Sequence, residues 1–186
     1  VFGLDLYYNS VRSVQKPDSA TISTIRTEGG AGVRFFLYRD WFAMTNAEFL
    51  QSSEQKLDLR SLVTLGFGNY LVNTNRMYFV MLAGGAWNIE NYGDAGLNDR
   101  NSVEVFAGLE YNVFDIGDLN LKTSVYGYPS LTEKGRFRTD FSFDLKYDFP
   151  LDFFINLGYT LNYDNKPVEG ASDLDYVLQT TFGWEL

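Results

Sequence analysis

Arg136 to Phe149 reads RFRTDFSFDLKYDF. Phe137, Thr139, Phe141, Phe143, Leu145, Tyr147 and Phe149 alternate strictly with Arg136, Arg138, Asp140, Ser142, Asp144, Lys146 and Asp148. A period of two is the mark of a β-strand with one apolar and one charged face. The chain repeats the pattern directly afterwards. Leu151, Phe153, Ile155, Leu157, Tyr159, Leu161 and Tyr163 oppose Asp152, Asn156, Thr160 and Asn162. Near the end, Leu174, Tyr176, Leu178, Phe182 and Trp184 oppose Asp173, Asp175, Gln179 and Glu185. Each run exceeds the roughly 9–11 residues that carry a tilted strand across a bilayer.

Working back from this block, seven further strands are expected. They cover 1–9, 21–39, 41–52, 57–72, 76–91, 101–114 and a segment from Leu119 that Pro129 ends. In the fourth, Leu59, Val63, Leu65, Phe67 and Leu71 face one way, and Asp58, Arg60, Thr64, Gly66 and Gly68 the other. The fifth is apolar on both faces, and Gly84-Gly85 marks a bulge or a close approach. Connections at 39–41, 72–76, 114–118 and 149–151 are short; those at 10–20, 92–100, 129–135 and 164–173 are long, with 53–56 an exception. Alternating short turns and long loops characterise outer-membrane barrels. The expected fold is one all-β domain over 1–186, an antiparallel up-and-down transmembrane β-barrel of about ten strands. An even strand number leaves both termini at the short-turn, periplasmic end. A soluble lipocalin-like barrel, with its apolar face turned inward on an apolar ligand, shares the alternation and is the alternative. Strand length, loop alternation and aromatics beside the turns (Tyr147, Phe149, Phe153, Tyr163, Tyr176) favour the membrane.

Composition narrows function mainly by exclusion. The net charge of −9 disfavours nucleic acid, because phosphate binding needs a basic surface. The absence of Cys rules out disulfides and thiol chemistry, and the absence of His removes the commonest general base. Aromatic residues make up 17% of the chain, as expected of a barrel with aromatic girdles. Asp140 and Asp144 share a face and could form an acid–base pair, but Arg138 and Lys146 beside them make ion pairing the better reading. No catalytic, cofactor-binding or metal-binding residue is assigned, and the chain is not expected to be an enzyme. The acidic stretch of Glu90, Asp94, Asn98 and Asp99 has no cation-loop motif and reads as a solvated loop.

Charges of both signs fall on the inward face: Asp5, Arg34, Glu48, Arg60, Glu104, Glu110, Lys122, Arg138, Asp140, Asp144, Lys146 and Asp175. They could line a small selective channel. In about ten strands, however, the bore leaves room chiefly for side chains, so a narrow, charge-filled lumen is expected.

Particular blocks carry a resemblance. Asn165-Lys166-Pro167, Gly170, Asp175 and Phe182-Gly183-Trp184-Glu185-Leu186 follow one another at a characteristic spacing. Pro129-Ser130-Leu131 with Gly135, Phe137 and Arg138 forms a second block, and Gly66-Phe67-Gly68 with Leu71 to Arg76 a third. Together they resemble the YdiY-like domain-of-unknown-function family, described as salt-induced outer-membrane proteins, from about Gly29 to Leu186. Leu186 stands where the family usually has Phe. The family's N-terminal hairpin has no counterpart here, and with it a complete protein would have about twelve strands. The resemblance implies a Gram-negative outer-membrane barrel with a structural or accessory role. Such a barrel is expected to contact lipid and lipopolysaccharide and to be inserted by the barrel-assembly machinery, and the resemblance carries over no catalytic residues, because none are established for the family.

Overall fold

A computed structural model of the chain describes residues 1–15, 22–93, 97–114 and 116–184. Among these, all regular structure is strand: β1 Phe2–Gln15, β2 Ile22–Phe36, β3 Trp41–Ser52, β4 Leu57–Asn73, β5 Met77–Tyr92, β6 Arg100–Val113, β7 Leu119–Pro129, β8 Phe137–Asp148, β9 Phe153–Asp164 and β10 Leu174–Trp184. The strands form one antiparallel sheet in chain order, each hydrogen-bonded to the next. The sheet curls into an incomplete barrel. Among the described residues, β1 and β10 are not paired with one another.

Two of the tight turns explain where strands stop. Arg39 and Asp40 have φ of 52° and 62°, and Leu151 and Asp152 have 71° and 63°. Consecutive positive φ values give the turn hand that suits two twisted antiparallel strands. The Leu37 N–H donates to the Trp41 carbonyl at 2.8 Å, and the Phe149 N–H to that of Phe153 at 2.6 Å. Apart from the turn at 53–56, the short turns lie at one end of the curled sheet, with Phe2 and Trp184. The longer connections lie at the other end.

Alternation sets the two faces. In β4, Val63, Leu65 and Phe67 are exposed on the outside, while Arg60, Leu62, Thr64, Gly66 and Gly68 are buried inside. In β5 and β6 the outward Trp87, Val103 and Val105 are exposed, while Asn88, Glu90, Ser102 and Glu104 are buried. The apolar face therefore looks out and the polar face in.

The structure corrects several details. β1 continues through Gln15 instead of ending at 9, because Ser10–Gln15 keep pairing with Ile22–Thr27. Tyr38 lies beyond the end of β2, and Asp152 sits in the turn before β9 rather than on a strand. Asp58 is exposed, because a bulge between Leu57 and Leu59 breaks the phase at the start of β4. At Gly84-Gly85 the register runs without a bulge, and the close approach belongs to Gly84 alone. A Cβ on Gly84 would strike the Leu65 carbonyl and the Phe106 ring, whereas one on Gly85 would meet nothing within 4 Å.

Candidate functional site

Among the described residues, charged side chains converge in the concave interior, which has two zones. At the short-turn end the inner face is aromatic. Phe36, Phe42, Tyr70, Tyr78 and Phe114 form a chain of ring contacts, with successive centroids 5.2–6.3 Å apart. Farther in, Phe106, Tyr126 and Tyr128 pack at 6.1–6.4 Å, with Met44, Leu62, Val80 and Leu82 buried around them. Small inward residues on neighbouring strands make room for the rings: Phe42 lies over Gly68, Phe106 over Gly66 and Gly84, and Tyr126 over Gly108. These apolar interior positions were not legible as a plug. An apolar residue on the polar face of a strand reads as noise until the neighbouring glycine is seen beneath it.

At the loop end the interior is ionic. Arg138 on β8 reaches Glu104 on β6 through two contacts, at 2.6 and 3.1 Å. Arg136, just before β8, bonds Glu90 on β5 at 2.8 Å and Asp164 on β9 at 2.5 Å. Glu90 also accepts from Arg60 at 3.0 Å, Asn88 at 3.0 Å and Tyr92 at 2.7 Å. Arg136, Arg138, Glu90 and Glu104 are all no more than 2% exposed. A third group crosses the gap between the sheet edges: Arg26 on β2 donates to Asp175 on β10 and Asn162 on β9, each at 2.5 Å, and Ser52 on β3 donates to Asp175 at 2.7 Å. Between the zones, Arg34 holds Glu110 at 2.8 and 2.9 Å, Tyr126 donates to the same carboxylate, and the Arg34 guanidinium lies 5.2 Å from the Phe42 ring centre.

The connection at 165–173 lies across the loop-end mouth. Its Ser172 N–H donates to the Glu54 carbonyl at 3.1 Å, and Lys56 to the Glu169 carbonyl at 3.3 Å. Arg100 bonds the Lys166 carbonyl at 2.7 Å, and Val168 is buried beneath. A segment that reads as a polar loop is thus a cap.

Of the inward charges expected from sequence, Arg34, Glu48, Arg60, Glu104, Glu110, Arg138, Asp140 and Asp175 converge in this interior. Lys122, Asp144 and Lys146 occupy inner-face positions nearer the short turns; Lys122 is exposed, and Lys146 bonds Asp148 at 3.0 Å. Asp5 is mostly exposed and lies 3.8 Å from Arg34. The pairing differs from the expectation that Asp140 and Asp144 would satisfy Arg138 and Lys146 along the strand. Arg138 pairs across to Glu104 instead, and Asp140 accepts from Asn162. Arg26, Glu90 and Asp164 were missed as interior groups, and Arg136, although on the charged face of its strand, was not counted among the inward charges. Arg26 shares the parity of Arg34, and that was the available signal. Glu90 points into the ion-pair network rather than into a loop site, and Asp94 lies outside the described residues. Among the described residues, no group of acidic side chains is placed to hold a metal ion.

Chemically, this interior pairs Arg26, Arg34, Arg60, Arg136 and Arg138 with carboxylates and packs aromatic rings beside them. The class it defines is an all-β, up-and-down β-barrel-like protein. The chain belongs to the family described as Protein of unknown function, DUF481, whose model matches residues 2–185. No curated protein matches it.

Proposed function

We propose that the protein spans a bacterial outer membrane as a β-barrel with an occluded interior, in a structural or accessory role rather than as a pore. The observation that carries this reading is the exposed apolar outer face. Leu65 is 68% exposed, Trp87 52% and Phe182 76%, on a surface where neighbouring strands contribute one apolar side chain after another. A contiguous apolar belt of this kind needs an apolar environment. Its height fits a bilayer. Outward aromatics gather at both ends, with Phe79, Tyr111, Tyr147, Phe153 and Trp184 toward the short turns and Trp87, Phe137, Tyr163 and Tyr176 toward the loops. Phe137 and Tyr147 are ten positions apart on β8. At about 3.3 Å per residue and a tilt of roughly 40°, that is about 25 Å of membrane normal, the height of the apolar band in such barrels. A soluble carrier barrel would turn its apolar face inward on a ligand, the opposite arrangement.

In this reading the short-turn end, with both termini, is periplasmic. The partners are membrane lipid, lipopolysaccharide and, during insertion, the barrel-assembly machinery. Spin labels on β8 in reconstituted protein test it. Labels at 139, 141 and 143 should be relaxed by oxygen dissolved in lipid, and labels at 140, 142 and 144 should not. Reversed or absent alternation would remove the lipid-facing assignment and the localisation with it.

A further inference from the structure

Within the loop-end interior lies a chamber of about 50 Å³, bordered by Arg26, Glu48, Arg60, Arg138, Asp140 and Asn162. Two of the bordering residues carry buried donors that find no acceptor among the described residues: Arg26 Nε and Arg138 Nη1. Arg26 is 7% exposed and Arg138 1%, so bulk solvent does not satisfy them. Their remaining nitrogens are committed elsewhere, to Asp175, Glu28 and Asn162 for Arg26 and to Glu104 for Arg138. A buried guanidinium N–H left without an acceptor is costly, and such groups are nearly always paired with protein or ordered water.

We propose that this chamber is a binding site for a small cluster of ordered water that joins the orphan N–H groups of Arg26 and Arg138 to the carboxylates of Glu48 and Asp140. Three features select water over an anion. The volume of about 50 Å³ holds roughly three to five water molecules at about 10–15 Å³ each. The border carries no uncompensated positive charge, because Arg26, Arg60 and Arg138 face Glu28, Glu48 and Asp140 and are also paired with Asp175, Glu90 and Glu104, so no anion is called for. The wall also offers both kinds of polar group. N–H donors need a lone pair and carboxylates need a hydrogen, and water supplies both from one atom. The cluster would make the loop side of the interior wet as far as Leu62, where the apolar packing of Phe42, Met44 and Phe106 begins. The inference does not depend on where the protein resides.

Crystals of the detergent-refolded protein, grown with and without sodium bromide, provide the test. The expected result is solvent density within about 2.7–3.2 Å of Arg26 Nε and Arg138 Nη1, with no anomalous bromide signal there. Bromide in the chamber would overturn the proposal in favour of an anion site. So would direct contacts from Glu48 or Asp140 to both N–H groups, since the donors would then be satisfied by protein. The variants Glu48→Gln and Glu48→Leu give a second reading, by water-to-protein NOEs in micelles. Glu48→Gln should keep the cross-peaks from water to the Arg138 side chain, and Glu48→Leu should weaken them. Absence of these cross-peaks in the unmodified protein would equally sink the idea.

Discussion

Arg138 and Glu104 meet through two hydrogen bonds of 2.6 and 3.1 Å between strands that are not neighbours, and the guanidinium also lies 4.9 Å from the Tyr128 ring centre. Fully desolvated pairs of this kind behave asymmetrically. Glu104→Gln leaves a buried cation short of its counter-charge and should destabilise by about 3–5 kcal/mol in urea titrations of the micelle-bound protein. Replacing both residues by Leu and Met should recover most of that loss, because the desolvation of both charges disappears with them. A double variant as unstable as the single one would show that the pair is held in place by more than its own charges.

Adjacent glycines on β5 should respond in opposite ways. Gly84→Ala drives a methyl into the Leu65 carbonyl and the Phe106 ring, and should cost about 1–3 kcal/mol or prevent folding. Gly85→Ala has open space and should be neutral or stabilising by about 0.5–1 kcal/mol. Equal effects at the two positions would contradict the inward placement of Gly84.

Leu151 holds φ at 71° and is 80% exposed, so nothing in its side-chain contacts offsets a left-handed backbone. Leu151→Asn should stabilise the protein by about 1 kcal/mol, since Asn tolerates that conformation. A raised thermal midpoint without altered spectra would agree; a lowered one would locate the role of Leu151 in membrane contact instead.

Planar bilayers should show little or no steady current through the reconstituted protein, because ion pairs and rings occupy the bore in series. Trimming Phe42 and Phe106 to Ala removes only the aromatic half, so conductance should stay low while stability falls by several kcal/mol, at about 3–5 for each ring. Large, stable steps from the unmodified protein would show that the interior opens.

The alternation from Arg136 to Phe149 already contains the strand, its two faces and, with its repeats, the barrel-like sheet. Loop lengths gave the antiparallel order. The pairing inside could not be read the same way. Parity places Arg138 on the inner face, but whether it meets Asp140 beside it or Glu104 two strands away depends on how tightly the sheet curls. Phe42 and Phe106 were illegible for a related reason, since their burial depends on glycines contributed by neighbouring strands. The capping segment at 165–173 has neither periodicity nor charge pattern, and its place follows from bonds to Glu54, Lys56 and Arg100 that only the closed shape brings near.

Each strand is bonded to the next in the chain, so every hairpin can form as soon as its second strand exists. Arg26 and Asp175 are different. They are 149 residues apart, and their contact cannot exist until nearly the whole sheet is laid down. During assembly this ion pair can therefore close only with the last strand: a chain halted before β10 carries Arg26 with Glu28 beside it and its β10 partner missing.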